Sequence, residues 1–332
     1  MRLGGSGAVA ELPVSFEDVA AARERIAPYL ARTPLYEYPG LSKLLGFPYH
    51  LKHENHQPVG AFKVRGGVNL MSQMNAEEKA RGVICATRGN HGQSVAYAAK
   101  LFGVQAYVVV PEGNNPEKNA AMEDLGAELV VHGRDFQEAV LKAEAMKAEH
   151  GYRYIHSANE PALIAGVGTY ALEIFETLDM VDVIIVPIGL GSGISGVCIV
   201  AKKLSPHTRI IGVQAEKAPA VCLSWHEKRV ATTESADTIA DGLATRVPAP
   251  MTLDIINRYV DDIVLLTEQE IIDGVGLLLR ETHNLAEGAG AASTAAAFKL
   301  RGKLKGKRVV GILSGGNIDR ATLRTVLEKS RF

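Results

Sequence analysis

Lys63 occupies an unusual position in the segment HQPVGAFKVRGGVNLM, directly after an aromatic residue and at the predicted start of a helix. A lysine in the first turn of a helix opposes the helix dipole, which favours negative charge at that end. Lysine amines form Schiff bases with carbonyl compounds once burial or neighbouring charge lowers their pKa. The position therefore indicates a nucleophilic lysine, although an exposed lysine without a chemical role fits the same pattern.

A glycine-rich loop, VPIGLGSGISG at 186–196, follows an apolar strand and precedes a helix. Backbone amides in such a loop, together with the helix N-terminus, bind phosphate groups. Gly191, Gly193 and Gly196 also satisfy the spacing G-x-G-x-x-G. Glu216 ends the next strand, at the place of the acid that binds ribose in dinucleotide sites. The loop alone therefore permits an NAD-dependent oxidoreductase, or glycines that serve only helix–sheet packing.

A second polar loop, ATRGNHGQS at 86–94, also follows a predicted strand. Gly89 and Gly92 free its backbone, while Asn90 and His91 add polar side chains. Backbone amides and these side chains can together bind a carboxylate. A solvated turn is the alternative.

A third loop, ILSGGNID at 312–319, places Ser314 at the end of a strand, where a hydroxyl can hydrogen-bond a ring nitrogen. An ordinary turn with Asn317 as a helix cap is the alternative. A phosphate loop, a carboxylate loop, a hydroxyl for a ring nitrogen and Lys63 together are the parts that a pyridoxal phosphate site requires.

The elements that carry these loops alternate between apolar strands and helical segments. Strands are predicted for YHLKHE, GVICAT, QAYVVVP, AELVVHG, DVIIVPIG, RIIGVQAE, DIVLLT and RVVGILSGG. Continuous Val/Ile runs between helices indicate parallel sheets buried on both faces. A long helix from about Pro161 interrupts the alternation. We predict an α/β fold of two open parallel-sheet domains with a site between them, at the carboxyl ends of the strands.

The composition is that of an ordinary globular protein, with 47% hydrophobic and 22% charged residues among 332. A formal net charge of -1 gives no electrostatic reason to expect nucleic acid or an anionic membrane as partner. No segment resembles a signal peptide or a membrane span. Cys85, Cys198 and Cys222 lack metal-ligand spacing and fit buried thiols in a reducing compartment. We expect a cytoplasmic protein with a loose tail at Met1–Leu12.

Four segments together resemble the signatures of a known family. HENHQPVGAFKVRGG, TRGNHGQSVAYAA, VPIGLGSGISG and LSGGNID occur in this order. They resemble the fold-type II pyridoxal-phosphate enzymes, specifically the threonine/serine dehydratase and serine racemase family. The resemblance covers nearly the whole chain and implies a tryptophan synthase β-like fold. It implies a large cofactor-binding domain at residues 1–58 and 155–332 and a small domain at residues 59–154.

The resemblance also implies roles for individual residues. Lys63 would form the Schiff base with pyridoxal 5'-phosphate, and Phe62 would pack close to the cofactor. Asn90 would hydrogen-bond the 3'-oxygen of the ring, and Ser314 would face the ring nitrogen. Glu287 matches a family acid near the ring, although a buried structural carboxylate fits as well. The residues implied for the phosphate are Gly189, Leu190, Gly191, Ser192 and Gly193. The residues implied for the substrate are Thr87, Arg88, Gly89, Asn90 and His91.

The reaction implied by the family is the elimination of a β-hydroxyl group and ammonia from a β-hydroxy-α-amino acid, which gives a 2-keto acid. Threonine, serine, 3-hydroxyaspartate and an aryl-serine such as phenylserine all remain open as substrates. A racemase or a β-replacement enzyme is the alternative within the family, and an NAD-dependent oxidoreductase is the alternative from another class. A homodimer or a higher homo-oligomer is expected.

Two positions depart from the family pattern. Arg88 stands where serine racemases carry a serine that works on the face opposite the lysine. A guanidinium group with a pKa above about 12 is a poor proton shuttle, so we expect racemisation to be lost unless Arg88 points away. At the family's divalent-cation site Glu216 and Ala220 match, but Cys222 replaces an aspartate and Lys217 adds positive charge. Hard cations prefer oxygen ligands, so we expect no metal.

Overall fold

The structure is a computed structural model that describes residues 12–332. All but Leu12 of the tail predicted at Met1–Leu12 therefore lies outside the described residues. The described chain is a mixed α/β fold with two separate sheets, which confirms the predicted fold class.

Six strands form the larger sheet: β1 (Leu35–Glu37), β2 (Tyr49–His53), β7 (Val183–Pro187), β8 (Arg209–Ala215), β9 (Asp262–Leu266) and β10 (Val309–Leu313). Their order across the sheet is β1-β2-β10-β7-β8-β9. Every neighbouring pair is parallel except β1 and β2, which are antiparallel at the edge. The central strands β7 and β10 are apolar and buried, because helices cover both faces of the sheet.

Four strands form the smaller sheet: β3 (Val83–Ala86), β4 (Ala106–Val110), β5 (Glu128–Val131) and β6 (Arg153–Tyr154). Their order is β5-β4-β3-β6, and all pairs are parallel. The boundaries of the small domain at residues 59 and 154 stay a prediction.

The helices of the described chain are α1 (Phe16–Ile26), α2 (Pro39–Leu45), α3 (Lys63–Met71), α4 (Ala76–Arg81), α5 (Asn90–Phe102), α6 (Pro116–Asp124), α7 (Phe136–His150), α8 (Pro161–Thr177), α9 (Ser192–Leu204), α10 (Ala220–Glu227), α11 (Pro250–Tyr259), α12 (Glu268–Thr282), α13 (Gly288–Lys299) and α14 (Arg320–Lys329). Short 3-10 helices lie at Glu54–His56 and Asp241–Leu243. As predicted, α3 begins at Lys63 and α8 begins at Pro161.

Helix α8 joins the two parts of the molecule, since it packs against α3 on one side and α9 on the other. Both contacts depend on glycine. A Cβ atom on Gly66 of α3 would lie 2.7 Å from Cγ of Leu163, and one on Gly196 of α9 would lie 2.6 Å from Cα of Gly168. Helix packing therefore explains Gly196, the third glycine of the dinucleotide spacing.

The three cysteines are free and buried, as predicted for structural thiols. Burial raises the pKa of the Cys85 thiol to about 12 and that of the Cys222 thiol above its ordinary value. Between residues 12 and 332, no helix is both long and apolar enough to span a membrane.

Candidate active site

A cavity of about 530 Å³ lies where the carboxyl ends of β3, β7 and β10 meet. Its wall contains all the residues predicted for the cofactor and the substrate, namely Phe62, Lys63, Thr87, Arg88, Gly89, Asn90, His91, Gly189, Leu190, Gly191, Ser192, Gly193, Glu287 and Ser314. The fold thus brings the four predicted segments together, as expected for loops that follow parallel strands.

Lys63 reaches the cavity from the first position of α3. Its Nζ atom donates to the carbonyl oxygen of Ser157 and to Oγ of Ser192, at 2.8 Å each. The turn before it is fixed because the backbone amide of Phe62 donates to the carbonyl oxygen of Ser314 at 3.0 Å. Burial lowers the pKa of Lys63 to about 7. With neutral oxygens as partners, this amine has a large uncharged fraction at neutral pH and is therefore a nucleophile.

The glycine-rich loop after β7 leads into the N-terminus of α9. Gly191 caps this helix with a left-handed φ of +97°, and a Cβ atom there would lie 2.9 Å from Cβ of Thr252. Oγ1 of Thr252 donates to the carbonyl oxygen of Leu190 at 2.5 Å, which fixes the loop from outside. Amides at a helix N-terminus next to a cavity suit a phosphate group.

The polar loop at 86–94, which follows β3, is stabilised by hydrogen bonds to one of its own residues, Thr87. Oγ1 of Thr87 accepts from the backbone amides of Gly89 at 3.0 Å and Gly92 at 3.2 Å. Its hydroxyl oxygen therefore stabilises the turn. The sequence did not show this use of the side chain.

His91 and Arg88 lie in the same loop, but they differ in burial and in hydrogen bonding. Nε2 of His91 lies 3.0 Å from the carbonyl oxygen of Ile155, and its buried Nδ1 has no partner within residues 12–332. Burial and the nearby Lys63 lower the pKa of His91 to about 3, so the ring is neutral. Arg88 is exposed at the cavity wall and forms no ion pair or hydrogen bond with the described chain.

Asn90 is oriented by two neighbours. Its Nδ2 donates to Oε1 of Glu287 at 2.5 Å, and its Oδ1 accepts from Nδ2 of Asn317 at 2.8 Å. Glu287 immediately precedes α13 and is buried, and burial raises its pKa above the ordinary value even though Lys118 and the hydrogen bond from Asn90 lower it. Ser314 follows β10, is buried and lines the same cavity.

Lys118 is a cavity residue that sequence reasoning missed. Its Nζ lies 2.9 Å from Oδ2 of Asp241 and 3.6 Å from Oε2 of Glu287. The sequence carried a signal, because Lys118 follows Pro116 in the first turn of α6, where a cation is as unfavourable as at Lys63.

A buried ion network behind the cavity was also missed. The Arg65 guanidinium donates to Glu54 at 2.7 and 2.9 Å and to Glu173 at 2.7 and 3.0 Å. Lys52 donates to Glu173 at 2.5 Å and to the carbonyl oxygen of Thr33 at 2.8 Å. This network anchors α3, and therefore Lys63, to α8.

The family's divalent-cation position lies outside the cavity. Glu216 and Lys217 are exposed, Cys222 is buried, and none of them lines the cavity. Across residues 12–332 no group of three or more histidine, cysteine, aspartate or glutamate side chains is arranged to hold a metal ion.

The donor set fits pyridoxal phosphate. The Lys63 amine has no acid partner in the described chain, the amides at the start of α9 are framed by glycines, and the Ser314 hydroxyl lies at the end of the central strand β10. An amine, backbone amides at a helix N-terminus and a serine hydroxyl face one cavity, and these are the kinds of group that suit this cofactor.

Comparison with known proteins agrees with this fit. Residues 26–315 match the family described as pyridoxal-phosphate dependent enzyme. The chain is 38% identical over 316 residues to L-threonine ammonia-lyase of Thermotoga maritima. The aligned region covers 95% of this chain and 79% of that relative. The chain is 37% identical over 311 residues to the catabolic L-threonine dehydratase TdcB of Escherichia coli K12, covering 93% and 94%. The solved structure of maize serine racemase has a TM-score of 0.90 at 30% identity and covers 96% and 98%.

Proposed function

The chain belongs to the pyridoxal-phosphate-dependent enzymes, in the fold-type II family of threonine/serine dehydratases and serine racemases, and we propose that it converts L-threonine to 2-oxobutanoate and ammonia. Its cofactor is pyridoxal 5'-phosphate, so the dinucleotide interpretation of the 186–196 loop is set aside. L-Serine would give pyruvate by the same chemistry. The relatives named for the threonine reaction support this proposal.

The observation that carries the proposal is the Lys63 amine, which is held by two neutral oxygens in the cavity. When bound, pyridoxal phosphate supplies an aldehyde that condenses with amino groups and a ring that withdraws electrons from the α-carbon. The Lys63 amine would be the base that accepts the α-proton of the substrate. A pKa of about 7 makes that amine available as a base at neutral pH.

The other cavity residues bind and orient. The amides of Gly189 to Gly193 would hold the phosphate, and the Thr87–His91 loop would hold the substrate carboxylate. Asn90 and Ser314 would contact the cofactor ring. Nη1 of Arg246 donates to Oδ2 of Asp135 at 3.0 Å, and this ion pair bridges two residues that line the cavity. Such a bridge helps to exclude water from the reacting groups.

The range of β-substituents is tested with a panel of substrates. At about 530 Å³ the cavity lies within the roughly 300–1,000 Å³ of typical ligand sites, and Phe136 and Val247 give its wall apolar surface that an aryl group could contact. Steady-state keto-acid release from threonine, serine, 3-hydroxyaspartate and phenylserine measures the preference. We expect threonine to have the highest kcat/KM. Absence of keto acid from all four would contradict an ammonia-lyase.

Racemisation of serine is the second candidate, and the similarity to maize serine racemase favours it. Arg88 at the cavity wall argues against it, because a guanidinium is a poor proton shuttle at neutral pH. A β-replacement reaction would instead require a second, nucleophilic substrate.

The proposal includes an oligomeric state and a cellular location. A homodimer is proposed from the family resemblance, and light scattering of the purified protein tests it. A cytoplasmic location suits three free, buried thiols, which persist in a reducing compartment.

A further inference from the structure

Lys118 connects the two halves of the cavity wall. It belongs to α6, which follows strand β4 of the smaller sheet, and its side chain is buried. Its ammonium group meets Asp241, which begins a 3-10 helix, and Glu287, which precedes α13. Both acids lie in the part of the chain that carries the larger sheet. A single cation therefore joins acids of one domain to a helix of the other.

The stem of Lys118 also supports the carboxylate loop. A Cβ atom on Gly89 would lie 2.6 Å from Cδ of Lys118, so the loop backbone rests directly on this side chain. The next residue, Asn90, donates to Glu287 at 2.5 Å. Lys118 thus contacts both the loop and the acid that orients Asn90.

The side chains around Lys118 include more acidic groups than cations. One ammonium faces the carboxylates of Asp241 and Glu287, with Asp319 as a further acid near Lys118. The Asp319 carboxylate is separately bonded to Asn115 and Thr322. Burial alone would lower the pKa of Lys118, but Glu287 and Asp241 raise it above its ordinary value. Without this cation, Glu287 would be a buried carboxylate beside another acid and would take up a proton.

Protonation of Glu287 would change how Asn90 is held. An ionised carboxylate only accepts hydrogen bonds, whereas a protonated one also donates. The Nδ2 group of Asn90 depends on Glu287 as its acceptor, and its Oδ1 depends on Asn317. We propose that Lys118 is a positioning residue, which keeps Glu287 ionised and holds the Gly89–Asn90 segment against it. The inference rests on the proposed function, because Asn90 is proposed to contact the cofactor ring.

The test follows the visible absorbance of the bound cofactor against pH, together with the pH profile of kcat. Lys118→Met removes the charge and keeps a stem over Gly89. It should move the acid transition of both profiles to higher pH by about one unit or more, the usual effect of an opposite charge at this distance. Asp241→Asn should move the transition to lower pH, because it leaves Lys118 to Glu287 alone. Lys118→Arg should restore most of the wild-type profile.

Two further variants separate positioning from simple packing. Lys100→Met removes an exposed lysine from α5 and should leave both profiles unchanged. In the double variant Lys118→Met, Glu287→Gln, the shifted acid transition should disappear, because the Glu287 carboxyl group that titrates is gone. A transition that persists in this double variant, or one that neither Lys118→Met nor Asp241→Asn moves, would overturn the proposal. If Lys118→Met does not fold, the downward shift in Asp241→Asn decides alone. Absorbance needs no turnover, so loss of the threonine reaction would leave this result readable.

Discussion

Lys63 and Arg65 lie two residues apart in α3, yet their side chains face different surroundings. Carboxylates surround Arg65, whereas the hydrogen-bond partners of Lys63 are neutral. Arg65 points into a dry network in which Glu54 and Glu173 together accept four of its hydrogen bonds. Lys63 points into the cavity, and within residues 12–332 its hydrogen-bond partners are a carbonyl oxygen and a hydroxyl, both neutral. Both cations are largely removed from water, but only one is matched by carboxylates.

This difference separates anchoring from chemistry. Buried charge that is matched by opposite charge stays ionised and fixes structure, whereas a buried lysine with neutral partners loses its charge and becomes reactive. Lys52 lies between these two cases: burial lowers its pKa overall, but Glu54 and Glu173 act against that shift and Glu173 pairs with its ammonium group. We expect Lys52 to anchor and Lys63 to react.

The largest expected effect comes from Lys63→Ala. Turnover of L-threonine should fall by at least roughly 10⁴-fold, the upper end of what a positioned base contributes, because the covalent role is lost as well. Coupled detection of 2-oxobutanoate measures it. A variant that kept a tenth of the wild-type rate would mean that another amine serves the reaction.

Arg65→Ala should act on stability. Breaking a buried ion pair from one side leaves an unpaired carboxylate, which costs about 3–5 kcal/mol in the free energy of unfolding. Chemical denaturation measures this loss. Arg81→Ala is the matched control, because Arg81 pairs with Glu77 on the surface at 3.2 Å and should cost no more than about 0.5 kcal/mol. Equal losses in the two variants would remove the distinction between the regions.

Arg88→Ser tests the unpaired arginine of the cavity wall. In the wild-type enzyme we expect racemisation to be slower than elimination by at least roughly 100-fold, the low end of what an acid or base contributes. The variant should racemise serine faster and still eliminate, since it provides a hydroxyl that exchanges protons. Incubation of L- and D-serine in deuterium oxide, with keto acid and α-deuteration followed together, measures both. Wild-type racemisation as fast as pyruvate release would show that Arg88 points away or that another residue serves that face.

The free energy of unfolding of the cofactor-free protein should depend on pH because of Lys63. The pKa of Lys63 is about 7 in the folded chain, against roughly 10.4 for an exposed lysine. Between these values the unfolded chain binds more protons, so the free energy of unfolding should rise with pH through this window. Lys63→Met should lose this rise, while Lys100→Met should keep it. An identical slope in Lys63→Met and the wild type would assign a normal pKa to Lys63.

Chelation should have the smallest effect. EDTA should leave activity unchanged, because Cys222 is buried away from the cavity and Lys217 adds positive charge at the family's cation position. Loss of activity that magnesium restores would indicate a site rebuilt from other acids, such as Asp237 or Asp241.

The sequence was most informative where chemistry depends on local pattern. Helix α3 begins at Lys63, and the loops after β3, β7 and β10 follow from apolar runs that end in glycine. The charged networks depend instead on distant residues. Arg65 meets Glu173 over 108 positions and Lys118 meets Asp241 over 123, and no periodicity links such pairs. The antiparallel edge pair β1–β2 was also out of reach, because a three-residue strand carries little pattern.

The central claim is that one lysine, distinguished by its neutral partners in the cavity, carries the cofactor. Borohydride reduction of the purified, cofactor-loaded protein, followed by proteolysis and mass spectrometry, identifies the lysine that is joined to the pyridoxyl group. We predict a single modified peptide that contains Lys63, with Lys52 and Lys118 unmodified because carboxylates hold their ammonium groups. A pyridoxyl group on Lys52, Lys118 or any other lysine would contradict the account.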